Sequence, residues 1–396
     1  MSLEVPDGWK ESRLGDIIKL EYGKALASGE RRIGTIPVFG SSGIVGYHDE
    51  AAAAGPSIVL SRKGSLGGVF YVEKGFWPID TTYFVIQRQN CDWRWLTYLL
   101  QFASLERLNE ATGVPGLNRD KAAKEPVLVP PLHEQCRIAE ILSSVDEAIA
   151  ATRAVIEQAR KVKQGALERV LTKGIGHTRF KQTEFGEIPE GWSLKMIRDF
   201  ADVKAGATPL RARHDRYFVD GTIPWVKTGD LTDGLIAETE ERITPAAVAE
   251  SSCDVHPTGT VLVAMYGGFQ QIGRSGILAQ PSATNQAISA LRLKDDSILG
   301  SFLNFALVGL RARWRSVAAS SRKDPNITKD DVLRFNIPVP PVAEQEKIIE
   351  LMTGLYDTQR VTECEINKLL DCKSALMSDL LTGRKRVLDA LPMAAE

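Results

Sequence analysis

EIPEGW at residues 187–192 nearly repeats EVPDGW at residues 4–9, and the stretches that follow the two copies also run in parallel. TIPVFGSSGIVG (35–46) matches TIPWVKTGDLTDG (222–234), and each half later reaches a Pro-Pro step followed by Glu-Gln. Short β-branched runs interrupted by glycine are typical of strands joined by tight turns. The chain therefore contains one strand-rich module written twice.

A long helix is predicted after each Pro-Pro step. Residues 132–172 contain no proline, and apolar side chains recur there in heptads; residues 342–382 repeat the pattern. Roughly forty helical residues extend about 60 Å, which is too long for an ordinary core helix. We expect the two helices to pair as a coiled coil, although each could instead pack on its own domain. The predicted seam side chains are Ile138, Leu142, Val145, Ile149, Ile156, Ile348, Met352, Leu355, Ile366, Leu369, Leu376 and Leu380.

These patterns predict an α+β protein with two similar β-rich domains and two long helices. A polar connector that contains glycine, near residues 173–186, marks the boundary between the halves. The predicted limits are a first globular domain at 1–131, a first spacer helix at 132–175, a second globular domain at 176–340, a second helix at 341–384 and a tail at 385–396.

The composition is that of a folded, soluble, intracellular protein. The 396 residues are 43% hydrophobic and 25% charged, and no apolar run approaches the length of a membrane-spanning helix. Five scattered cysteines without C-x-x-C spacing favour reduced thiols and a cytoplasmic location. The net charge of −1 names no partner, so any nucleic-acid surface must consist of locally clustered basic residues.

The sequence contains no motif that predicts catalysis. It has no phosphate-binding loop with its lysine, no H-E-x-x-H zinc helix and no G-x-S-x-G elbow. GSSGIVG (40–46) lacks the lysine and following helix of a phosphate loop, so it is interpreted as a turn between strands. The five histidines are far apart in sequence, and no metal site is predicted.

Basic and amide side chains instead accumulate in the glycine-rich turns of both halves. Arg and Gln pair with guanine and adenine edges, and Lys and Arg bind phosphate. Ordinary solvated charge explains any single one of these residues equally well, but the set favours nucleic-acid binding. The candidate DNA-contacting residues are Arg31, Arg32, Arg62, Lys63, Arg119, Lys121, Arg211, Arg213, His214, Lys227, Tyr266, Gln270, Gln271, Arg274, Arg322 and Lys323.

TEFGEIPEGW, the Pro-Pro steps in VLVPPLHEQ and IPVPPVAEQEKI, and the helix ends ALERVLTKG and ALMSDLLTGR resemble specificity subunits of type I restriction–modification systems. The resemblance covers essentially the whole chain. It implies two target-recognition domains, each reading one half of a bipartite DNA sequence, about an approximate twofold. It also implies an antiparallel two-helix coiled coil that sets the gap between the half-sites.

The resemblance further implies a non-catalytic chain. Two modification subunits would bring S-adenosylmethionine, restriction subunits would bring ATP-driven translocation and cleavage with Mg²⁺, and this chain would bind no cofactor. Because recognition loops vary within the family, base-contacting residues cannot be carried over. The halves differ most in 24–60 and 207–258, which predicts an asymmetric target.

Three alternatives remain from the sequence. A methyltransferase or nuclease would need a methyl-donor site, and the chain has neither a Gly-rich donor loop nor an N/D-P-P-Y/F motif. A structural adaptor would need an acidic or apolar face in place of the Arg and Gln loops. The specificity component of a system with a fused modification–restriction partner would have a similar sequence.

Overall fold

The computed structural model describes residues 5–109, 115–268, 270–318 and 326–387. Contacts divide the chain into two compact units, the first made of 1–154 with 363–396 and the second of 155–362. Because the division falls inside both long helices, each unit takes part of each helix. The domain limits given above therefore stay a prediction.

The described residues of the first half of the chain form short strands, three short helices and one long helix. The strands are β1 (Lys10–Arg13), β2 (Ile18–Tyr22), β3 (Ile36–Gly40), β4 (Gly43–His48), β5 (Ser57–Ser61), β6 (Val69–Val72), β7 (Trp77–Pro78), β8 (Thr82–Gln87) and β9 (Pro126–Val129). The helices are α1 (Leu14–Ile17), α2 (Trp93–Phe102), α3 (Arg119–Ala122) and α4 (Leu132–Thr172).

The second half has the same kinds of element. The strands are β10 (Phe180–Thr183), β11 (Gly186–Pro189), β12 (Ser193–Met196), β13 (Ala201–Ala205), β14 (Ile223–Val226), β15 (Leu235–Ile236), β16 (Glu241–Ile243), β17 (Val255–His256), β18 (Val261–Ala264), β19 (Ser275–Leu278), β20 (Ser282–Thr284), β21 (Ile288–Leu293) and β22 (Asn336–Val339). The helices are α5 (Ile197–Phe200), α6 (His214–Tyr217), α7 (Pro245–Glu250), α8 (Gly300–Gly309), α9 (Trp314–Val317), α10 (Lys329–Arg334) and α11 (Val342–Leu381).

Both units follow one sheet plan. The first has an antiparallel sheet in the order β2-β8-β5-β6 and a smaller sheet β4-β3-β7. The second repeats these as β13-β21-β18-β19 and β16-β14-β20, with β15 and β17 added at one edge of each. The pairs β1-β9 and β12-β22 join the strand after each opening tryptophan to the strand before each Pro-Pro step. The predicted α+β class and internal repeat are confirmed.

A buried tryptophan fills the same place in both small sheets but comes from different strands. Trp77 on β7 pairs with Val38, whereas Trp225 on β14 pairs with Ala283. Each indole N–H donates to the carbonyl of the residue that follows a glycine, at 2.9 and 3.2 Å. In both units a tryptophan lies opposite a smaller side chain, but the strand that carries the tryptophan differs. The volume of this layer is therefore similar in the two units.

The core of each unit lies between its larger sheet and one largely buried helix. In the first unit, four side chains on one face of α2 are almost fully buried: Trp95, Leu96, Leu99 and Leu100. In the second unit the equivalent set on α8 is Phe302, Leu303, Ala306 and Leu307. Burying one large apolar side chain stabilises a fold by about 1.5–3 kcal/mol, so these helices anchor the sheets.

The long helices run antiparallel where they meet within each unit. In the first unit the beginning of α4 packs with the end of α11 in one core, and Lys373 Nζ lies 2.7 Å from the Asp146 carboxylate. In the second unit the end of α4 packs with the beginning of α11, and Lys163 Nζ lies 4.0 Å from the Tyr356 ring centroid. The predicted pairing of the helices is confirmed.

The predicted seam side chains are all at least half-buried. Seven are buried, namely Ile138, Leu142, Ile149, Ile156, Ile348, Met352 and Leu380. The other five are half-buried: Val145, Leu355, Ile366, Leu369 and Leu376. Among the residues that the structure describes, neither these helices nor any other could cross a membrane.

Candidate nucleic-acid interface

The repeated opening motif and the repeated Glu-Gln pair are two halves of one contact. Trp9 Nε1 donates to Glu134 at 2.9 Å, and Trp192 Nε1 donates to Glu344 at 2.9 Å. Arg386 adds two hydrogen bonds of 2.9 Å to the Glu134 carboxylate. Burial raises the pKa of Glu134, but the hydrogen bonds from Arg386 and Trp9 outweigh burial and hold the pKa below its usual value. This contact ties each globular part to the start of its long helix.

The glutamine beside each of these glutamates has the same positioning role. Gln135 accepts from the Asp92 N–H at 2.9 Å and donates to the Pro130 carbonyl at 2.9 Å. Gln345 likewise accepts from the Leu299 N–H at 2.8 Å. Both bonds hold the residue just before the core helix, α2 or α8, against the long helix. The Glu-Gln pairs are therefore structural, although the sequence marked only their repetition.

In the first unit the ends of several strands meet at residues 79–81, which we call the edge turn. The Ile79 N–H donates to the Phe39 carbonyl in β3 at 2.9 Å. The Thr81 carbonyl accepts from the N–H of Arg62, directly after β5, at 2.9 Å and from the following N–H at 3.1 Å. The turn thus fixes one edge, where strands of both sheets end.

The second unit has an edge turn at residues 285–287 with the same hydrogen bonds. The Asn285 N–H donates to the Val226 carbonyl in β14 at 3.0 Å. The Met265 N–H, directly after β18, donates to the Ala287 carbonyl at 2.7 Å. These bonds establish which residues of the two units correspond to each other.

A glycine lets the first sheet strand pass close to each edge turn. A Cβ on Gly23 would lie 2.1 Å from the Ile79 carbonyl oxygen, and one on Gly206 would lie 2.1 Å from that of Asn285. Any other residue would displace the turn, which explains the matched glycines in the two halves. The middle residue of each turn is exposed. No sequence pattern marks these middle residues, because their position depends on the register of distant strands.

Arginine and tyrosine side chains form a stack beside the first edge turn. The Arg62 guanidinium lies 4.9 Å from the Tyr22 ring centroid and that of Arg119 lies 5.1 Å from it. Arg62 Nη1 also donates to the Asp80 carbonyl at 2.6 Å. Stacking holds a guanidinium in place while leaving its other N–H groups available. The structure therefore brings together two predicted DNA-contacting residues in an ordered, half-exposed cationic group.

The remaining predicted residues of the first unit are held in different ways. Arg31 Nη1 donates to the Val45 carbonyl at 2.6 Å. Arg32 is paired with Asp49 at 2.8 Å and Glu50 at 3.2 Å. Lys63 is exposed beside Arg62, and Lys121 lies on α3 with Arg119. Arg119 is also paired with Asp120, at 3.8 Å. Arg32 and Arg119 therefore have carboxylate partners, whereas Arg31 and Arg62 bond to backbone carbonyls.

In the second unit, Arg211 and Lys227 share one carboxylate. Arg211 makes two hydrogen bonds to Glu241, at 2.6 and 3.1 Å, and Lys227 Nζ lies 2.7 Å from the same side chain. Lys227 also contacts Glu240 at 2.6 Å. The hydrogen bonds from Arg211 lower the pKa of Glu241 to about 2, although burial opposes them, and Lys227 adds to the shift. This cluster is neutralised, so its net attraction to phosphate is small.

Arg213 and His214 lie next to this cluster and contact aromatic side chains. Arg213 Nη1 donates to the Tyr217 hydroxyl at 3.2 Å. The His214 ring stacks on Phe218 with centroids 5.5 Å apart. These contacts order both residues on an exposed face.

The glycine-rich turn after β18 presents the remaining candidates. Tyr266 and Gln270 are exposed, whereas Gln271 and Arg274 are half-buried. Gly267 has φ +112° and a Cβ there would lie 2.5 Å from Gln271 Oε1, so this turn requires glycine. Arg322 and Lys323 lie outside the described residues.

The described part of the chain contains no candidate metal site. No group of three His, Cys, Asp or Glu side chains is arranged there to hold a metal ion. His256 is buried, and burial together with the charge of Arg292 lowers its pKa to about 4, so it is neutral. It accepts a hydrogen bond from Arg292 and belongs to the fold.

A family model described as the type I restriction modification DNA specificity domain matches residues 6–161 and again residues 189–371. The chain belongs to this family. Each match runs from an opening tryptophan motif into a long helix, as the repeat requires. The chain is therefore a DNA specificity subunit of a type I restriction–modification system, and methylation and cleavage reside in its partner subunits.

Relatives of similar length carry the same description. The type I restriction enzyme MjaVIII specificity subunit of Methanocaldococcus jannaschii is 26% identical, over 97% of this chain and 95% of its own length. The EcoDI specificity subunit of Escherichia coli is 22% identical over 96% and 88%. The crystal structure of a type I restriction-modification system S subunit from M. genitalium has the same fold, with a TM-score of 0.63 and 16% identity over 96% and 97%.

Proposed function

We propose that each unit reads one half of a bipartite DNA target with the side chains around its edge turn. The observation that carries this proposal is one hydrogen-bonded turn repeated in both units with different surroundings. At three corresponding positions the first unit has Tyr22, Arg62 and Lys63, and the second has Ala205, Met265 and Tyr266. Because bases are read by side-chain hydrogen bonds and apolar contacts, different side chains predict different half-sites. The target is then asymmetric.

The predicted cations divide by their surroundings into two groups. Arg62, Lys63 and Arg119 are the residues we assign to direct DNA contact in the first unit. Arg211 and Lys227, held by Glu241, instead shape the second surface and contribute little net charge. A chain of net charge −1 has little long-range attraction to DNA, so partner subunits supply much of the affinity.

The outer faces of the long helices support the binding of two modification subunits. In the first unit a stripe on α4 consists of small or apolar side chains at heptad spacing: Ile141, Ser144, Ala148 and Ala151. The corresponding stripe of the second unit, on α11, consists of Leu351, Gly354, Thr358 and Val361. Leu351 is 44% exposed and Val361 60% exposed. A helix face without charges suits packing against another helix, so one partner docks on each stripe.

The chemistry of the complex then belongs to the partners. The modification subunits hold S-adenosylmethionine, the restriction subunits use ATP and Mg²⁺, and this chain holds no cofactor. Because the substrate of the complex is double-stranded DNA, we expect the complex to act in the cytoplasm.

Sequencing of methylated bases tests the proposed function. In cells that express the chain with its modification subunits, we expect methylation at one bipartite, asymmetric sequence. Replacing residues 1–131 by the matching segment of a relative should change one half of that sequence and leave the other intact. A change in both halves would contradict independent reading by the two units.

A further inference from the structure

The middle residue of each edge turn has an exposed side chain, and the residues on either side of it bond through their backbone to other parts of the sheets. In the first unit the Asp80 carbonyl accepts from Arg62, and both neighbouring residues bond to other strands. In the second unit the Asn285 side chain accepts from the Ala287 N–H at 3.1 Å, which stiffens the turn around Gln286. A side chain on a rigid turn loses little conformational entropy when it binds.

On a surface that faces phosphates, the negative Asp80 carboxylate is repelled by the DNA backbone. A hydrogen bond that it accepts from a base would compensate for this repulsion. Arg62, which bonds to the Asp80 carbonyl and stacks on Tyr22, offsets the repulsion from the backbone of the duplex. An ionised carboxylate accepts hydrogen bonds and cannot donate them. In the major groove the matching donor is the N4 amino group of cytosine.

Gln286 occupies the corresponding position in the second unit with different chemistry. Its Oε1 accepts a hydrogen bond from the Thr208 hydroxyl, which orients the amide. Its Nε2 donates to no described residue, and Oε1 keeps a second lone pair. One acceptor and one donor side by side match N6 and N7 of adenine.

We propose that Asp80 reads a cytosine in one half-site and that Gln286 reads an adenine in the other. This inference rests on the proposed function and adds to it the specificity-determining residue of each unit and the base that it selects. Asp80 and Gln286 are identified because they hold equivalent positions in the two edge turns. No charged cluster in the sequence marks either residue.

Two near-isosteric exchanges test the assignment in the complete complex with modification subunits. Asp80→Asn turns an acceptor into an acceptor–donor pair, so preference at one position of the first half-site should move from cytosine to adenine. Gln286→Glu makes the opposite change and should move one position of the second half-site from adenine to cytosine. Each shift should be roughly tenfold to a hundredfold, the range of one good base contact. The other half-site should not change in either variant.

Matched controls make the same acid-to-amide and amide-to-acid changes at exposed positions away from the turns. Glu73→Gln lies beyond β6 and Gln182→Glu lies on β10, and both should leave the methylated sequence unchanged. Binding to duplexes with each of the four bases at every position, measured with the purified complexes, gives the preference even if a variant no longer methylates.

The outcomes separate this inference from the proposed function. A wild-type complex without a bipartite target would contradict the proposed function itself. A bipartite wild-type target that neither exchange alters would overturn the assignment of Asp80 and Gln286 alone. A uniform loss of affinity, with base preference kept, would also overturn it, since that result is expected of a phosphate contact.

Discussion

Arg62 and Arg32 carry the same charge in the same unit, yet their surroundings predict different effects on DNA binding. Arg62→Ala should weaken binding by about 1–3 kcal/mol if it reads a base, with relaxed choice at one position. If Arg62 instead binds phosphate, the slope of affinity against salt should fall by about one, without a change in preference. Titration of duplexes at several salt concentrations distinguishes these results.

Arg32→Ala is the matched control for that experiment. Asp49 and Glu50 already neutralise the exposed Arg32 side chain, so its removal should leave DNA affinity nearly unchanged. Equal losses from the two substitutions would show that the stack on Tyr22 gives Arg62 no special role.

Glu134 predicts a pH dependence of stability. Burial raises its pKa, but Arg386 and Trp9 lower it more, so the folded value is below the unfolded value of about 4.3. The carboxylate therefore stabilises the first unit above about pH 4.3, and this contribution is lost as the pH falls toward the folded pKa. Glu134→Gln should lower the free energy of unfolding by about 1–3 kcal/mol at pH 7 and flatten its acid dependence.

Urea unfolding at pH 7 and at pH 3 measures both effects of that substitution. Glu140→Gln is the control, because Glu140 is exposed and pairs with the exposed Arg137 at 2.7 Å. It should change the free energy of unfolding by less than about 0.5 kcal/mol. An acid dependence that survives intact in Glu134→Gln would assign the effect to other carboxyl groups.

The outer stripes of α4 and α11 predict how partners assemble. Ala151→Glu places a charge in the first stripe and Val361→Glu places one in the second. Each should weaken the docking of one modification subunit by at least about 2 kcal/mol, because the charge would be buried without a partner. Native mass spectrometry should then find one modification subunit in place of two, and none in the double variant.

Arg153→Glu, on an exposed face of α4 outside the stripe, controls for the change in charge. It should leave the composition of the complex unchanged. Two modification subunits bound to the double variant would exclude these stripes as docking sites.

Local patterns explain which elements were predictable from the sequence. The internal repeat and the paired helices were predictable, because their signals come from residues near each other in sequence. These signals are the repeated tryptophan motifs, the Pro-Pro steps and the heptads. The contact between Trp9 and Glu134 joins residues 125 apart, so no local pattern shows it. Likewise, Arg211 and Lys227 carry a positive charge in the sequence, and only the pairing of β14 with β16 brings Glu241 to them.

At the scale of the whole molecule, the length of the paired helices predicts the gap between half-sites. The end of α4 is unsuitable for an insertion, because Leu171 is buried in the core of the second unit. Repeating residues 148–154 after Ala154 and residues 356–362 after Thr362 adds one heptad to each helix and keeps the seam in phase. Seven helical residues add about 10 Å, and DNA rises about 3.4 Å per base pair.

The recognised half-sites should therefore stay the same while the gap grows by about three base pairs. Sequencing of methylated bases in cells with the lengthened chain measures it. An active complex with the original gap would show that the helices do not set the spacing.

The first unit is built from both ends of the described chain, since Leu376, Leu380 and Leu381 of α11 and then Arg386 pack against its early residues. On the ribosome, the contacts with those residues form on the order of tens of seconds after the early strands emerge. The second unit is a single continuous segment and can complete its core sooner. Protein synthesis thus reverses the usual order of folding here, and the first half to emerge is the last to be finished.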